Sequence, residues 1–307
     1  MRSLAVLAVL GACGACTPTS HPTVRSSLGV PRSSAAMLSA LDAPGPVTLE
    51  TIVSADWKVP RSGLVNLEHP AARAARLTDD EEPIQVLFHA LHHPTRGLFV
   101  VDTGVERAMR DRPADAAFRG VVASALKLGT MAIRMPLGDW LAAREEPLQG
   151  VLLTHLHPDH VAGLPDVPRG TAVYAGPGEA SPRALVNALL QGNVDRALAG
   201  KAPLAEWPFA PDPARRFDGV VDVFGDGSVW AIWVPGHTAG STAYLVRTPG
   251  GPVLLTGDAC HTRWGWEHDV EPGHFSSDVE QSARSLAALR RLASERPAIE
   301  VRLGHQQ

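Results

Sequence analysis

With 307 residues, 45% of them hydrophobic and 20% charged, the chain can bury a sizeable core and has the make-up of an ordinary globular protein. A formal net charge of -4 supplies no positive field, which argues against a nucleic-acid partner. Its 3 cysteines are too few for a disulfide framework, and Cys260 reads as a small buried residue rather than a nucleophile.

The N-terminus carries Arg2 and then the short apolar run Leu4–Leu10, which has signal-peptide length and cannot span a bilayer. Leu10-Gly11-Ala12-Cys13 resembles a bacterial lipobox. The resemblance implies a lipoprotein signal peptide over residues 1–12, acylation of Cys13, and an exported protein held to a membrane of the cell envelope by that lipid. A plain secretory signal with an incidental Cys is the alternative, and it too implies export. Residues 13–46 are rich in Ser, Thr, Pro and Ala and are predicted to form a flexible tether, so that the folded domain spans 47–307.

Within that domain, Ile84–Phe88 and Leu98–Val101 flank a Pro94/Gly97 turn and predict a hairpin. The imidazoles in it, His89, His92 and His93, read as solvated or structural. Ala114–Leu128 has helical composition and stops at Gly129. Further strands are expected at Val151–Leu153, Ala172–Tyr174, Val229–Val234, Thr242–Val246 and Val253–Leu255. The stretch from Ala180 to Pro213 reads as an insertion covering one face. Ser277 and Glu280 make a capping box, followed by Val279, Ala283, Leu286, Leu289 and Ala293 on one helical face. Ile299–Leu303 predicts a closing strand. Strands and helices mixed in this way imply a layered α/β domain.

The chemistry concentrates where strands end. Gly150–Leu153 runs into Thr154-His155-Leu156-His157-Pro158-Asp159-His160, a density of imidazole and carboxylate that suits zinc and its neighbours. Two such ions need about eight ligands, water included. The remaining candidates also follow apolar strands: His237 in Pro235-Gly236-His237-Thr238, Asp258 in Thr256-Gly257-Asp258, and His305 after Gly304. A Gly precedes each of these three, which suits a tight turn at a strand end.

His-x-His-x-Asp-His, Gly-His-Thr, Gly-Asp and Gly-His, in this order, resemble the metallo-β-lactamase-fold hydrolases, over roughly Thr48 to His305. The resemblance implies a four-layer αββα sandwich with its site at the strand ends. It implies one divalent metal ion on His155, His157 and His237, a second on Asp159, His160 and His305, and Asp258 bridging the two. Zinc suits this donor set, although iron, manganese or cobalt could occupy it. A hydroxide shared by the two ions would attack a carbonyl. Asp159 would orient it or pass a proton, with no Ser or Cys nucleophile.

The nearer resemblance is to the N-acyl-homoserine-lactone lactonases, through Pro235–Ser241, Gly257-Asp258-Ala259 and the turn Val101-Asp102-Thr103-Gly104, where Asp102 reads as a turn residue supporting the ligands. The expected function is therefore exported, dinuclear, metal-dependent hydrolysis of a small molecule with a lactone or ester carbonyl. β-Lactamase-like or glyoxalase-II-like thioester hydrolysis is the alternative, and a non-catalytic metal-binding protein is a further one. The lactonases carry Tyr three residues after the bridging Asp, where this chain has His261. An imidazole there could donate a hydrogen bond to the substrate or protonate the leaving alkoxide. Trp264, Trp266, His268, His274 and Phe275 follow, and are expected either to wall a pocket or to pack the loop onto the domain.

Overall fold

A computed structural model describes residues 17–182 and 187–306. The signal segment 1–12, Cys13 and Cys16 lie outside the described residues. Among the described residues, fourteen strands run in chain order: β1 (Thr23–Arg25), β2 (Val30–Arg32), β3 (Thr48–Pro60), β4 (Glu81–His93), β5 (Gly97–Val101), β6 (Ala132–Ile133), β7 (Leu148–Leu152), β8 (Ala172–Ala175), β9 (Leu204–Glu206), β10 (Gly219–Asp222), β11 (Val229–Trp233), β12 (Thr242–Thr248), β13 (Gly251–Leu255) and β14 (Glu300–Arg302). They form an eight-stranded sheet, β1-β9-β8-β7-β5-β4-β3-β6, and a six-stranded sheet, β14-β13-β12-β11-β10-β2.

Each sheet is covered on both faces, which is why its central strands read as continuous apolar runs. In β5, Phe99 and Val101 face the other sheet, while Leu98 and Val100 face the helical side. In β11, Val229 and Ala231 point inward to meet them and Trp230 and Ile232 point outward. Tyr244, Val246 and Leu255 complete the middle layer. Outside the first sheet lie Phe118, Trp140, Leu164 and Leu198, and outside the second lie Met37, Leu289 and Leu292. The order of layers is helix, sheet, sheet, helix. The αββα sandwich expected from the motif order is the observed fold.

Three local expectations are corrected. From residue 17 on, the stretch expected as a tether belongs to the domain. β1 pairs parallel with β9, β2 pairs antiparallel with β10, and the helix Ser34–Ala40 buries Met37 completely. Every side chain of β1 and β2 is exposed, so these edge strands are held by main-chain pairing and leave no apolar periodicity to read. The helix expected over 114–128 shrinks to Val121–Ala125, because Gly120 enters it at φ 65°.

The long helix, Val279–Glu295, is capped by Asp278, whose carboxylate accepts from Gln281 N at 2.8 Å, in place of the Ser277/Glu280 box. Its buried face is Ser282, Ser285, Leu286, Leu289 and Leu292. Small residues bury there because Gly236, at φ 135°, lies against Ser282, where a Cβ would stand 2.3 Å from the Ser282 nitrogen. The main-chain N–H groups of Ser277 and Asp278 donate to the carbonyls of His237 and Gly236, each at 2.9 Å. The helix start is thereby tied to a loop carrying a candidate ligand.

Candidate metal centre

The carboxyl ends of β5, β7, β11, β13 and β14 reach one edge of the sandwich, and each delivers a polar side chain there. The candidate donor atoms fall into three overlapping groups, each with its atoms within 4.8 Å of one another: His155, His157, His237 and Asp258; Asp159, His160 and His305; and Asp258, His261 and His305. All seven ligands expected from the sequence, and His261 with them, therefore meet at one place.

Asp258 stands at the middle. Its Oδ2 is 3.6 Å from His155 Nε2, 3.3 Å from His160 Nε2, 3.4 Å from His237 Nε2 and 3.1 Å from His261 Nε2. Its Oδ1 is 3.3 Å from His305 Nε2. Asp159, less buried, has its Oδ2 3.4 Å from His305 Nε2 and 3.6 Å from His160 Nε2. Gly304 is required beside this carboxylate, since a Cβ there would lie 2.5 Å from Asp258 Oδ1.

The outer nitrogens set the tautomers. His160 Nδ1 lies 2.8 Å from Asp102 Oδ2, and His305 Nδ1 lies 2.9 Å from the Gln85 carbonyl. Both partners only accept, so each Nδ1 carries the proton and each Nε2 presents a lone pair inward. Thr154 Oγ1 spends its proton on Asp102 and accepts from His155 Nδ1 at 3.1 Å, with the same result. This is the arrangement in which metal-ligating histidines are held by their surroundings. His155 Nε2, His160 Nε2 and Asp258 Oδ1 are buried without any hydrogen-bond partner. Buried lone pairs left unmatched are costly in a finished fold, and convergent ones next to a carboxylate fit a divalent cation. The residues present therefore suit a divalent metal, and nitrogen-rich donors favour zinc.

Electrostatics divides the imidazoles into two groups. Burial pushes His155, His157 and His237 below the ordinary imidazole range, into the neutral form that ligates. Burial works the same way on His160 and His305, but there the carboxylates outweigh it and both are raised, led by Asp258. Burial alone would raise Asp258, yet the surrounding imidazoles hold it well below the usual carboxylate range.

Two supporting groups differ in legibility. Asp102, at φ 56°, ends β5 and accepts from Thr154 N at 2.8 Å as well as orienting His160, matching the supporting role expected of it. Glu179 was missed. It is buried beyond β8 and accepts from Leu156 N at 3.0 Å, Gly240 N at 2.7 Å and the Thr238 hydroxyl. It joins the loop of His155 and His157 to that of His237. Its place just after Gly176-Pro177-Gly178, at another strand end, was the available signal.

The remaining histidines stand apart. His89 is buried against Thr51, and burial lowers it to about 3. His93 is buried on Asp226 at 2.8 Å, so neither is solvated, while the partly exposed His92 pairs with Glu146. Burial pushes the Cys260 thiol up to about 12, in keeping with an inert role. Trp264 and Trp266 pack against the domain, whereas Phe275 lines a cavity of about 250 Å³ above the cluster. Trp57, Val59, Leu64, Ile84, Leu126 and Leu190 supply its apolar wall. His157, Asp159, His237, Asp258, His261 and His305 line its polar end.

Residues 83–305 match the family model described as the metallo-beta-lactamase superfamily. Among curated proteins, the chain is 31% identical over 170 residues to N-acyl homoserine lactonase AttM of Azorhizobium caulinodans, covering 50% of this chain and 57% of that protein. It is 33% identical over 156 residues to the AttM lactonase of Agrobacterium fabrum, with the same coverage. The matches thus span little more than half the length of these relatives. Among solved structures, a quorum-quenching N-acyl homoserine lactone lactonase superposes with a TM-score of 0.60 at 19% identity, over 86% of this chain and 93% of that one. An N-acyl homoserine lactone hydrolase bearing N-hexanoyl-L-homoserine at its catalytic metal centre gives 0.59 at 20% identity, over 86% and 94%. At these identities the two structures speak for the fold.

Proposed function

Because the chain belongs to the metallo-beta-lactamase superfamily, we propose that it is a metal-dependent hydrolase that opens lactones or related esters at a dinuclear centre. The observation that carries this reading is the convergence of buried, unmatched donor atoms at the floor of an apolar cavity. His155, His157 and His237 would hold one cation, Asp159, His160 and His305 the other, and Asp258 would serve both. When bound, divalent cations supply a lowered pKa for water, from ~16 to ~7, and polarise a carbonyl oxygen.

The chain's own residues do the rest. Asp102, Thr154 and the Gln85 carbonyl keep the ligand rings in the tautomer that points lone pairs inward. Trp57, Ile84, Leu126, Leu190 and Phe275 would exclude water and receive the hydrocarbon part of a substrate, as apolar pocket walls generally do. Asp159, at the polar end of the cavity, is placed to hold a proton on a carboxylate oxygen during the reaction. The lactone preference is supported by the acyl-homoserine-lactone activity named for the similar proteins and by the apolar wall. Turnover of an N-acyl homoserine lactone, a simple aryl ester, a thioester and a cephalosporin by zinc-replete protein tests this. Faster opening of the lactone than of the other three is expected, and metal-loaded protein that turns over none of them would refute hydrolysis.

We also propose that the chain is exported and anchored through a lipid on Cys13, on the strength of Arg2, the Leu4–Leu10 run and Leu10-Gly11-Ala12-Cys13. Full-length protein is expected in the membrane fraction and the Cys13→Ser variant outside it. Equal partition of the two would reject the anchor.

A further inference from the structure

We infer that His261 is an additional metal ligand, an eighth side chain of the centre, and that it serves the same cation as His305. The inference rests on the metal-centre reading above. His261 Nδ1 lies 3.0 Å from the carbonyl oxygen of Leu64, at the end of the short helix Arg61–Leu64 that follows β3. A carbonyl only accepts, so Nδ1 carries the proton and the neutral ring offers a lone pair at Nε2. That nitrogen points into the cluster, 3.1 Å from Asp258 Oδ2, with the side chain only 1% exposed.

A lone pair facing a buried carboxylate oxygen at this distance is repulsive unless a cation lies beside both. The alternative, a doubly protonated ring donating to Leu64 and Asp258 together, would place another positive charge within a few ångströms of the bound metals. Coulomb repulsion in so buried a site disfavours it. His261 and His305 are moreover built alike. Each donates Nδ1–H to a main-chain carbonyl, each directs Nε2 to an oxygen of Asp258, and their rings stack at 5.5 Å with planes 9° apart. Asp258, His261 and His305 bring their donor atoms within 4.8 Å of one another.

The two cations would then be unequal. One would be held by His155, His157, His237 and Asp258, the other by Asp159, His160, His305, Asp258 and His261. The extra nitrogen would leave less of the second cation to water or substrate. It also replaces the proton-donor role that the sequence suggested, since a nitrogen giving its lone pair to a metal has no proton to donate.

The test uses full-length apoprotein titrated with Co2+, read by stoichiometry, by competition with a chelator and by the visible absorption of the bound ion. Wild type is expected to take two equivalents. His261→Phe, which keeps a flat ring, is expected to bind the second about tenfold or more weakly and to change the intensity of its visible bands. Identical affinity and spectra in the two proteins would overturn the assignment while leaving the metal centre standing. Wild type that binds no Co2+ would overturn the metal centre and the assignment with it. As a measurement independent of the variant's folding, a zinc-soaked crystal of wild type should place anomalous density about 2.0–2.1 Å from His261 Nε2. Zinc elsewhere in the cluster but beyond that distance would also overturn it.

Discussion

Replacing Asp258 by Ala will strip the protein of tightly held metal and of hydrolytic activity while leaving its secondary structure in place. Asp258 is the one carboxylate within 3.6 Å of the Nε2 atoms of His155, His160, His237, His261 and His305. Removing it leaves a nest of imidazoles with no negative charge at its centre. Deleting one partner from a buried charge cluster costs about 3–5 kcal/mol, and every 1.4 kcal/mol is tenfold. Apparent metal affinity should therefore fall by about 10²–10⁴-fold, with turnover falling alongside. Asp159→Ala, at the more open end of the site, should lose less. Metal analysis after dialysis and a chelator titration would check this. An Asp258→Ala protein with its full metal content would refute the central place given to that carboxylate.

Glu179→Ala should loosen two ligand loops at once. The carboxylate accepts from Leu156 N on one oxygen and from Gly240 N and the Thr238 hydroxyl on the other. Without it, two buried main-chain N–H groups lose their acceptor, at about 1–3 kcal/mol each. A loss of about 2–6 kcal/mol in unfolding free energy follows, together with weaker metal binding, because His155, His157 and His237 are carried on the loops so released. Glu179→Gln should not rescue it. Whichever way the amide turns, its NH2 faces a main-chain N–H, and donor meets donor. Denaturant unfolding of the apoprotein and metal titration read the two effects separately. Wild-type stability in both variants would show that the loops hold themselves.

Much of the site is legible in the sequence because its chemistry is written locally. Four of the candidate ligand residues fall between His155 and His160, and His237, Asp258 and His305 each follow an apolar strand and a Gly. The strands β4, β5, β7, β8 and β11 to β14 were legible from their apolar runs, whereas β3, β6, β9 and even the fully buried β10 were not. β1 and β2 escaped notice because pairing through the main chain imposes no pattern on exposed side chains. The helix at 114–128 was overestimated because composition outweighed one Gly with a positive φ. Glu179 escaped because nothing about a lone Glu after a turn announces that three donors from two distant loops will converge on it.

By itself the sequence determined which atoms are available to a metal, in what order they occur, and that a layered α/β domain carries them on strand ends. Ligand type and strand periodicity are properties of neighbouring residues, so the sequence carries them. The tertiary structure decided which nitrogen of each imidazole faces inward, since that depends on carbonyls and carboxylates far away in the chain: Gln85 for His305, Asp102 for His160, Leu64 for His261. A hydrogen bond across 197 residues ties His261 Nδ1 to the Leu64 carbonyl and leaves Nε2 facing Asp258, the geometry behind the ligand role proposed for it.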